Sequence, residues 1–329
     1  MNVETRVAAT VGGHAFEAHA VLEPDASRIV DAVRALAMDS RRRYPGPNPV
    51  SLERASFDVL RRGDYVVCEK TDGSRFALVC LEHASAQGPL KVVALVDRKF
   101  SVFLFPLRNV PNALFQGTVL DGELAWDKVA GRFAYLAFDA VAVSGVPVAH
   151  AGLEDRLRAA RAALEVYSPD PADPATVEVK TFVSPTSDVV GHLAAAAERF
   201  DVDGVVFTPV HDPVEFGRAS RVFKLKTGHA SHTVDFLVQG GGLHVYDGKG
   251  GHVRVGRVAG CVPAPNGSIV EAHHAGRGDP ACDLWFVKGV RADKTTANDL
   301  LTYDKTMLNA REGVRLDEAL AALTTKHHA

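Results

Sequence analysis

The sequence predicts an α+β protein, with a large domain of antiparallel sheets and flanking helices followed by a small β-barrel domain. Three observations predict this arrangement. Segments with the composition of β-strands follow one another up to about residue 142. Two helices rich in alanine and leucine then interrupt the series. Beyond about residue 228 the predicted strands become short and closely spaced, with glycine-rich turns that are typical of small barrels.

The elements of the large domain are predicted in chain order. Apolar side chains recur at helical spacing over Ser27–Met38, which predicts the first helix. The proline-rich segment 44–49 cannot continue that helix and is predicted to be an extended loop. Six strands, two helices and two further strands are then predicted, in that order, at Tyr65–Glu69, Phe76–Leu81, Val92–Val96, Ser101–Phe105, Thr118–Trp126, Phe133–Ala142, Leu153–Val166, Ser187–Phe200, Gly204–Thr208 and Val222–Lys226.

The second domain is predicted from the short strands between Thr233 and Asp293. Two helices, Thr296–Arg311 and Leu316–Leu323, close the chain. We therefore expect a large domain over residues 1–227 and a barrel domain over residues 228–314. The last helix, within residues 315–329, is expected to pack back on the large domain.

The composition is that of a soluble globular protein: 47% of the 329 residues are hydrophobic and 23% are charged. The apolar runs are too short to cross a bilayer, and the N-terminus has no signal-peptide pattern. We therefore expect an intracellular protein, in the cytoplasm or the nucleus, with no membrane partner. The net charge of −3 argues against a protein that coats long nucleic acid. The four cysteines form no CxxC pair, which favours reduced thiols over a zinc site.

The segment Lys70-Thr71-Asp72-Gly73-Ser74-Arg75 lies in the turn between two predicted strands and suits nucleophilic attack on a phosphate. A lysine attacks only as the neutral amine, and an ordinary lysine, with a pKa near 10.4, is about 0.1% neutral at neutral pH. Neighbouring cations lower such a pKa. Arg75 can present a bidentate fork to ribose or phosphate oxygens. The alternative is a plain Asp-Gly hairpin with solvated charges.

Further motifs follow the lysine segment in a fixed order: Asp121-Gly122-Glu123-Leu124, Phe138-Asp139-Ala140-Val141, Asp203-Gly204-Val205-Val206-Phe207-Thr208-Pro209, Phe223-Lys224-Leu225-Lys226 and Arg291-Ala292-Asp293-Lys294. The series resembles the covalent nucleotidyltransferases, the superfamily of mRNA-capping guanylyltransferases and nucleotide-dependent polynucleotide ligases. The resemblance covers about residues 26–325. It implies a nucleotidyltransferase domain of the ligase and capping type (ATP-grasp-like) and a C-terminal OB-fold barrel.

Several details resemble capping enzymes more than ligases. These are the Lys-Thr-Asp-Gly form of the lysine motif, the loop Pro47-Asn48-Pro49-Val50-Ser51, the segment Thr233-Val234-Asp235-Phe236 and the segment 291–298. The resemblance is closest to the compact, single-function guanylyltransferases of large DNA viruses, whose length is similar. One residue departs from the family pattern: Thr227 stands where many capping enzymes have proline. The resemblance therefore does not predict the conformation of the turn at Thr227.

The resemblance implies a role for each site residue of the large domain. Lys70 would take GMP from GTP, with Thr71 and Arg75 beside it in the nucleotide site. Arg98 would contact the nucleotide, and Glu123 would accept a hydrogen bond from a ribose hydroxyl.

The same resemblance places two apolar side chains and one lysine around the base. Phe138 would stack on guanine, with Val206 on the other face, although ordinary core packing is the alternative for this phenylalanine. Lys180 would lie near the guanine carbonyl.

Charged residues of the later motifs would handle the phosphates. Asp203 would orient Mg²⁺ or Mn²⁺, since carboxylates suit both ions. Lys224 and Lys226 share one face of a predicted strand, where they can hold the α-phosphate; a solvated strand face is the alternative. On the barrel side the resemblance assigns Asp235, Arg291, Asp293 and Lys294 to the nucleotide. Arg291 and Lys294 would reach the β- and γ-phosphates when the barrel closes.

The resemblance thus predicts an mRNA guanylyltransferase that passes GMP to the 5′-diphosphate end of RNA. The sequence shows no cysteine-type phosphatase loop and no glycine-rich strand–turn–helix. We therefore expect separate proteins to supply the RNA triphosphatase and cap methyltransferase activities. We also expect a monomer. The first alternative is an ATP-dependent DNA or RNA ligase, and a non-catalytic RNA-binding module is the second.

Overall fold

The computed structural model describes residues 1–39, 41, 43–85, 88–227, 232–260, 264–292 and 294–325. Its helices are α1 Asp25–Ala37, α2 Phe57–Arg62, α3 Leu153–Glu165, α4 Val189–Arg199, α5 Leu300–Glu312 and α6 Leu316–Thr324. The strands are β1 Val3–Val11, β2 His14–Val21, β3 Pro47–Ser51, β4 Tyr65–Thr71, β5 Ser74–Ser85, β6 Gly88–Val96, β7 Val102–Leu104, β8 Thr118–Asp127, β9 Arg132–Val143, β10 Val146–Pro147, β11 Thr176–Val179, β12 Val202–Pro209, β13 Gly217–Lys226, β14 Thr233–Gln239, β15 Gly242–Tyr246, β16 His252–Val258, β17 Ile269–His274 and β18 Leu284–Val290.

The chain divides into two compact units. The first comprises residues 1–50, 59–224 and 323–329, and the second comprises residues 51–58 and 225–322. The predicted boundary at residue 227 lies close to this division. Most of α6 groups with the second unit, so its expected packing on the large domain stays a prediction.

The first unit is built on two sheets. The larger has the order β1-β2-β7-β6-β5-β8-β9-β10, with β11 parallel to β9, and the smaller has the order β3-β13-β12-β4. Strand β5 lies in the middle of the larger sheet and is buried on both faces. Leu78 joins the cluster that includes α3, whereas Val79 joins the cluster that includes α1. Burial on both faces explains why β5 is apolar along most of its length.

Helix α1 forms where the sequence places an apolar stripe at helical spacing. Ile29 and Val33 on that stripe are fully buried against the larger sheet. Helix α4 is capped by Asp188, the residue before its first turn. The Asp188 side chain accepts a hydrogen bond from the Gly191 amide, as an N-cap should. The apolar stripe and the N-cap thus determine where these two helices form.

The second unit contains five strands that close on themselves in the order β14-β15-β16-β18-β17. All neighbouring pairs are antiparallel except β16 with β18. Its core centres on Phe236 and Trp285, whose rings meet edge to face at 4.6 Å. Tyr303 and Met307 of α5 pack against this core.

Some sequence predictions need correction. Residues 47–51 are not an extended loop but the edge strand β3, because a proline can occupy an edge strand without breaking a ladder. The hairpin of β1 and β2, turning at Gly12-Gly13, was not predicted, and neither were the short elements α2, β10 and β11. Among the described residues, no helix is long and apolar enough to span a membrane.

Candidate active site

The segment that carries Lys70 connects the two sheets of the first unit. Strand β4 ends in the smaller sheet at Thr71, and β5 begins in the larger sheet at Ser74. The plain hairpin alternative is therefore wrong, because β4 and β5 belong to different sheets. Gly73 is required for a close approach: a Cβ there would lie 2.4 Å from the carbonyl oxygen of Leu124.

Lys70 forms an ion pair with Asp203 across the β4–β12 ladder. The distance from Lys70 Nζ to Asp203 Oδ1 is 2.7 Å, and about a fifth to a quarter of each side chain is exposed, 24% and 21% respectively. Gly204 pairs with Lys70 and Val202 with Thr71, so Asp203 is the extra residue of a β-bulge. The bulge places a carboxylate beside the lysine amine.

The second lysine motif lies on the same sheet, because β13 neighbours β12. Phe223 and Leu225 are buried, whereas Lys224 and Lys226 are partly exposed. The alternation confirms that the two lysines share one face of the strand, as period-2 geometry requires.

Arg75 uses its fork within the protein. Its Nε donates to Asp121 Oδ1 at 2.9 Å, its Nη2 pairs with the other carboxylate oxygen, and its Nη1 donates to Asn48 Oδ1 at 3.2 Å. Asp121 is fully buried and also accepts from the Tyr44 hydroxyl. The fork that was expected to meet a nucleotide oxygen thus binds Asp121 instead. Arg75 holds the proline-rich strand β3 against the larger sheet.

Glu123 lies directly opposite Arg75 in the β5–β8 ladder. Burial raises the pKa of Glu123 to about 7, although Lys180, Arg75 and Lys70 pull it down. Desolvation therefore outweighs three nearby cations. A carboxyl group that is poised between its two forms at neutral pH is a common mark of a functional site.

Lys180 joins the residues on either side of Lys70. Its ammonium donates to the Thr71 hydroxyl at 2.6 Å and to the Glu69 carbonyl at 3.0 Å, and it lies 3.2 Å from the Glu69 carboxylate. His192 of α4 contacts the other oxygen of that carboxylate at 3.0 Å. The strand that carries Lys70 is thereby held by a buried, hydrogen-bonded ion pair.

The two apolar candidates remain partly exposed. Phe138 is the bulge residue where Ala137 and Asp139 of β9 pair with Gly122 and Asp121 of β8. Its ring lies 5.4 Å from the Arg75 guanidinium and is not part of the buried core. Val206 is half-buried and pairs with Cys68 on β4. Core packing therefore does not account for Phe138.

Two expectations find less support in the geometry. Arg98 is exposed in the turn between β6 and β7, and within the described part of the chain it forms no hydrogen bond or ion pair with the other candidates. Within the described residues, no three His, Cys, Asp or Glu side chains are grouped as metal ligands. Asp203 alone still fits Mg²⁺, because that ion often binds through one or two carboxylates together with substrate phosphates.

The second unit holds its own charged cluster. The carboxylate of Asp235 accepts from Arg291 Nη1 at 3.3 Å and pairs with the Lys294 ammonium. Its backbone amide is bound by the Asn298 side chain at 2.8 Å. Asp235 thus organises the two cations, and its predicted place in the nucleotide site stays a prediction. Asp293 lies outside the described residues.

Sequence reasoning missed several residues that support the site. Asp121 lies in the Asp-Gly-Glu-Leu motif and Asn48 lies in the loop 47–51, but the sequence predicted no role for either residue. Glu69 directly precedes Lys70, and that position was the available signal. His192 lies on a helix far along the chain, where no pattern in the sequence links it to the lysine motif.

Comparisons with known proteins agree with this geometry. The family model described as "mRNA capping enzyme, catalytic domain" matches residues 18–228, which is more than half of the chain. The mRNA-capping enzyme subunit alpha of Neurospora crassa is 31% identical over 221 residues, or 60% of this chain and 54% of that protein. The same subunit of Yarrowia lipolytica is 31% identical over 233 residues, or 65% of this chain and 59% of that protein. The matched region spans a little over half the length of these relatives.

A search of solved structures finds the ligase domain of LigD from M. tuberculosis, which covers 75% of this chain and 93% of that one. The identity is 16% and the TM-score is 0.38, which is too low to argue for a shared fold. The family match over residues 18–228 contains Lys70, Glu123, Asp203 and Lys224, the residues that the geometry assembles. The chain belongs to the mRNA capping enzyme family, through its catalytic domain.

Proposed function

We propose that this chain is a GTP:RNA guanylyltransferase that forms a covalent lysyl–GMP adduct on Lys70. The observation that carries the proposal is the pairing of Lys70 with Asp203 at the junction of two sheets, within the region that matches the capping family. A partly exposed lysine held by a carboxylate at 2.7 Å has a fixed position and a path for a substrate.

In the first step the neutral amine of Lys70 attacks the α-phosphorus of GTP. An N–P bond forms, the bond from the α-phosphorus to the bridging oxygen breaks, and pyrophosphate leaves with the electron pair. The nitrogen releases one proton to solvent, which leaves a phosphoramidate. Lys224 and Lys226 would stabilise the charge on the phosphate oxygens. A divalent cation bound with the phosphates would neutralise further charge, and Asp203 is the residue that would hold it.

In the second step a β-phosphate oxygen of diphosphate-ended RNA attacks the same phosphorus. The N–P bond breaks, and the amine of Lys70 takes up a proton and is regenerated. The product is a guanosine joined to RNA through three phosphates. Splitting the transfer into two displacements is the usual reason for a covalent intermediate.

Recognition of guanosine is proposed to follow from the residues around Lys70. Phe138 offers a partly exposed ring for stacking on the base, opposite Val206. Lys180 is proposed to lie near the guanine carbonyl, with Thr71 beside it at the strand end. Glu123, in its ionised form, can accept a hydrogen bond from a ribose hydroxyl.

The second unit is proposed to be an OB-fold. Five strands close on themselves, and the third strand pairs with the fifth in parallel, which supports a Greek-key barrel of that type. Arg291 and Lys294, held by Asp235, are proposed to meet the β- and γ-phosphates of GTP. Diphosphate RNA would be supplied by an RNA triphosphatase, and the cap would be used by a methyltransferase.

The test is to incubate the protein with Mg²⁺ or Mn²⁺ and α-labelled GTP or ATP, and then to run a denaturing gel. We expect a labelled, acid-labile band with GTP only, and no band with Lys70→Ala. Lys99→Ala is a matched control, because Lys99 is exposed in the turn after β6. A band with ATP alone would make the protein a ligase, and a labelled Lys70→Ala protein would exclude Lys70 as the nucleophile.

A further inference from the structure

A cavity of about 260 Å³ lies within the second unit, where the β17–β18 loop meets the ends of α5 and α6. This volume is far above the roughly 10–15 Å³ that one water molecule needs. Lys226, Arg277 and Arg315 line it, together with His232 and His274. None of the residues that line it is acidic.

Three acidic side chains at the end of α5 and the start of α6 already have partners. Glu318 is paired with Arg54 at 3.2 Å, and Glu312 accepts from the Arg54 amide at 2.8 Å. Asp317 is paired with Arg315 at 2.6 Å. The positive charge in the lining is therefore reduced at Arg315. Such a cavity favours an anion over any other ligand.

Arg277 is the most informative residue of the lining. It is exposed, and it takes part in none of the ion pairs given for the described residues. Its backbone is in the left-handed region, with φ of 52°. This region is uncommon for a residue with a long side chain, so the turn must be held by its surroundings.

The loop that carries Arg277 is fixed from two sides. His274 Nδ1 accepts from the Gly278 amide at 2.8 Å, and its Nε2 therefore carries the proton that it donates to the Cys282 carbonyl at 2.8 Å. On the other side a Cβ at Gly278 would lie 2.5 Å from the Met307 carbonyl of α5. The guanidinium is thus presented from a rigid turn.

We infer that this cavity binds a phosphodiester of the RNA acceptor, downstream of the 5′ end that receives GMP. The inference rests on the proposed function, because that reaction requires an RNA with several phosphates. The exposed guanidinium of Arg277 is the group that would contact this phosphate, because an arginine fork matches phosphate oxygens.

The test uses the full-length protein and the variants Arg277→Asn and Arg277→Lys. Asparagine tolerates the left-handed backbone and removes the charge, whereas lysine keeps the charge. Arg257→Asn is the matched control, because Arg257 is an exposed arginine of the same unit that does not line the cavity. Circular dichroism melting would show that each variant folds.

Three readouts separate the outcomes. Adduct formation from GTP without RNA should stay within about twofold of wild type in all variants. The KM for a diphosphate-ended oligonucleotide should rise about tenfold in Arg277→Asn and recover in Arg277→Lys. The KM for adenosine 5′-diphosphate, an acceptor without a phosphodiester, should not change.

Binding of a fluorescent diphosphate-ended RNA at several salt concentrations gives the fourth readout, which needs no catalysis. The slope of log K against log salt should become shallower by about 0.7 in Arg277→Asn, as for one lost phosphate contact. Equal binding by wild type and Arg277→Asn overturns the inference. So does an equal loss with the oligonucleotide and adenosine 5′-diphosphate, which would assign the cavity to the terminal diphosphate. Failure of wild type to form any adduct would instead reject the proposed function, while the binding readout would still decide the cavity.

Discussion

At the scale of single residues, Glu123 carries its charge in surroundings that disfavour it. Burial raises its pKa to about 7 against the pull of Lys180, Arg75 and Lys70. An ordinary glutamate is almost fully ionised at that pH. We therefore expect Glu123 to be about half neutral near pH 7 in the absence of nucleotide. Its ability to accept from a ribose hydroxyl should increase as the pH rises.

The raised pKa makes a prediction about stability. Because the folded state binds this proton more tightly than the unfolded state, the contribution of Glu123 is full below about pH 4.5 and is lost as the pH rises through about 7. In Glu123→Gln there is no carboxyl group to ionise, so this stability is not lost as the pH rises. The variant should be more stable than wild type at pH 8, by on the order of 1–3 kcal/mol, with a difference that shrinks towards pH 5. Urea unfolding between pH 5 and pH 8 measures it.

A control separates this effect from the general loss of a carboxylate. Glu17→Gln, at an exposed position on β2, should leave the pH dependence of unfolding unchanged. If Glu123→Gln and wild type gave parallel stability curves over this pH range, the carboxyl would not carry the raised pKa. The glutamine variant should also form the GMP adduct less well, because its neutral amide oxygen is a weaker acceptor for a ribose hydroxyl than a carboxylate.

At the scale of elements, the site depends on how strands meet. The four residues 71–74 pass from one sheet to the other, and two β-bulges add Asp203 on β12 and Phe138 on β9 to the same region. A bulge turns one side chain out of its usual alternation. This explains how an acid beside Lys70 and an aromatic ring beside Arg75 both become partly exposed on regular strands.

The junction at Gly73 predicts a mutational effect. In Gly73→Ala the new Cβ would meet the Leu124 carbonyl oxygen at 2.4 Å, and a backbone atom cannot rotate away. We expect a loss of about 1–3 kcal/mol in unfolding free energy. Because the turn lies three residues from Lys70, GMP adduct formation should fall at least about tenfold.

Gly289→Ala provides the matched control for that change. Gly289 lies in strand β18, and a Cβ there has no atom within 4 Å. The control should therefore unfold at nearly the wild-type urea concentration and form the adduct at a normal rate. Normal adduct formation by Gly73→Ala would mean that the close approach does not position Lys70.

At the scale of the whole molecule, each compact unit has its own hydrophobic core. The clusters around Leu95 and Val79 contain residues of the first unit, and the cluster around Trp285 contains residues of the second. Separate cores predict that the two units unfold in separable steps.

The chain offers a direct way to test this, because it has two tryptophans, Trp126 in the first unit and Trp285 in the second. The variants Trp285→Phe and Trp126→Phe each leave one fluorescent reporter. Adding Leu95→Ala should destabilise the first unit by about 2–5 kcal/mol and shift the Trp126 transition, while the Trp285 transition stays in place. If both transitions shifted together, the two units would unfold as one.

The sequence by itself determined the family of this protein. The order of its motifs predicted Lys70, Glu123, Asp203 and Lys224 as site residues. Local patterns predicted most helices and strands, because apolar spacing reflects which face is buried. Alternating exposure along β13 was also predictable from the sequence alone.

The tertiary structure decided what each charge meets. The Asp121 carboxylate occupies the fork of Arg75, His192 reaches Glu69 from a distant helix, and Arg277 joins Lys226 around one cavity. The placement of β3 and of the Asp203 bulge was likewise decided there. Local spacing carries no information about these contacts, because they join residues far apart in the chain and depend on the register and pairing of whole strands.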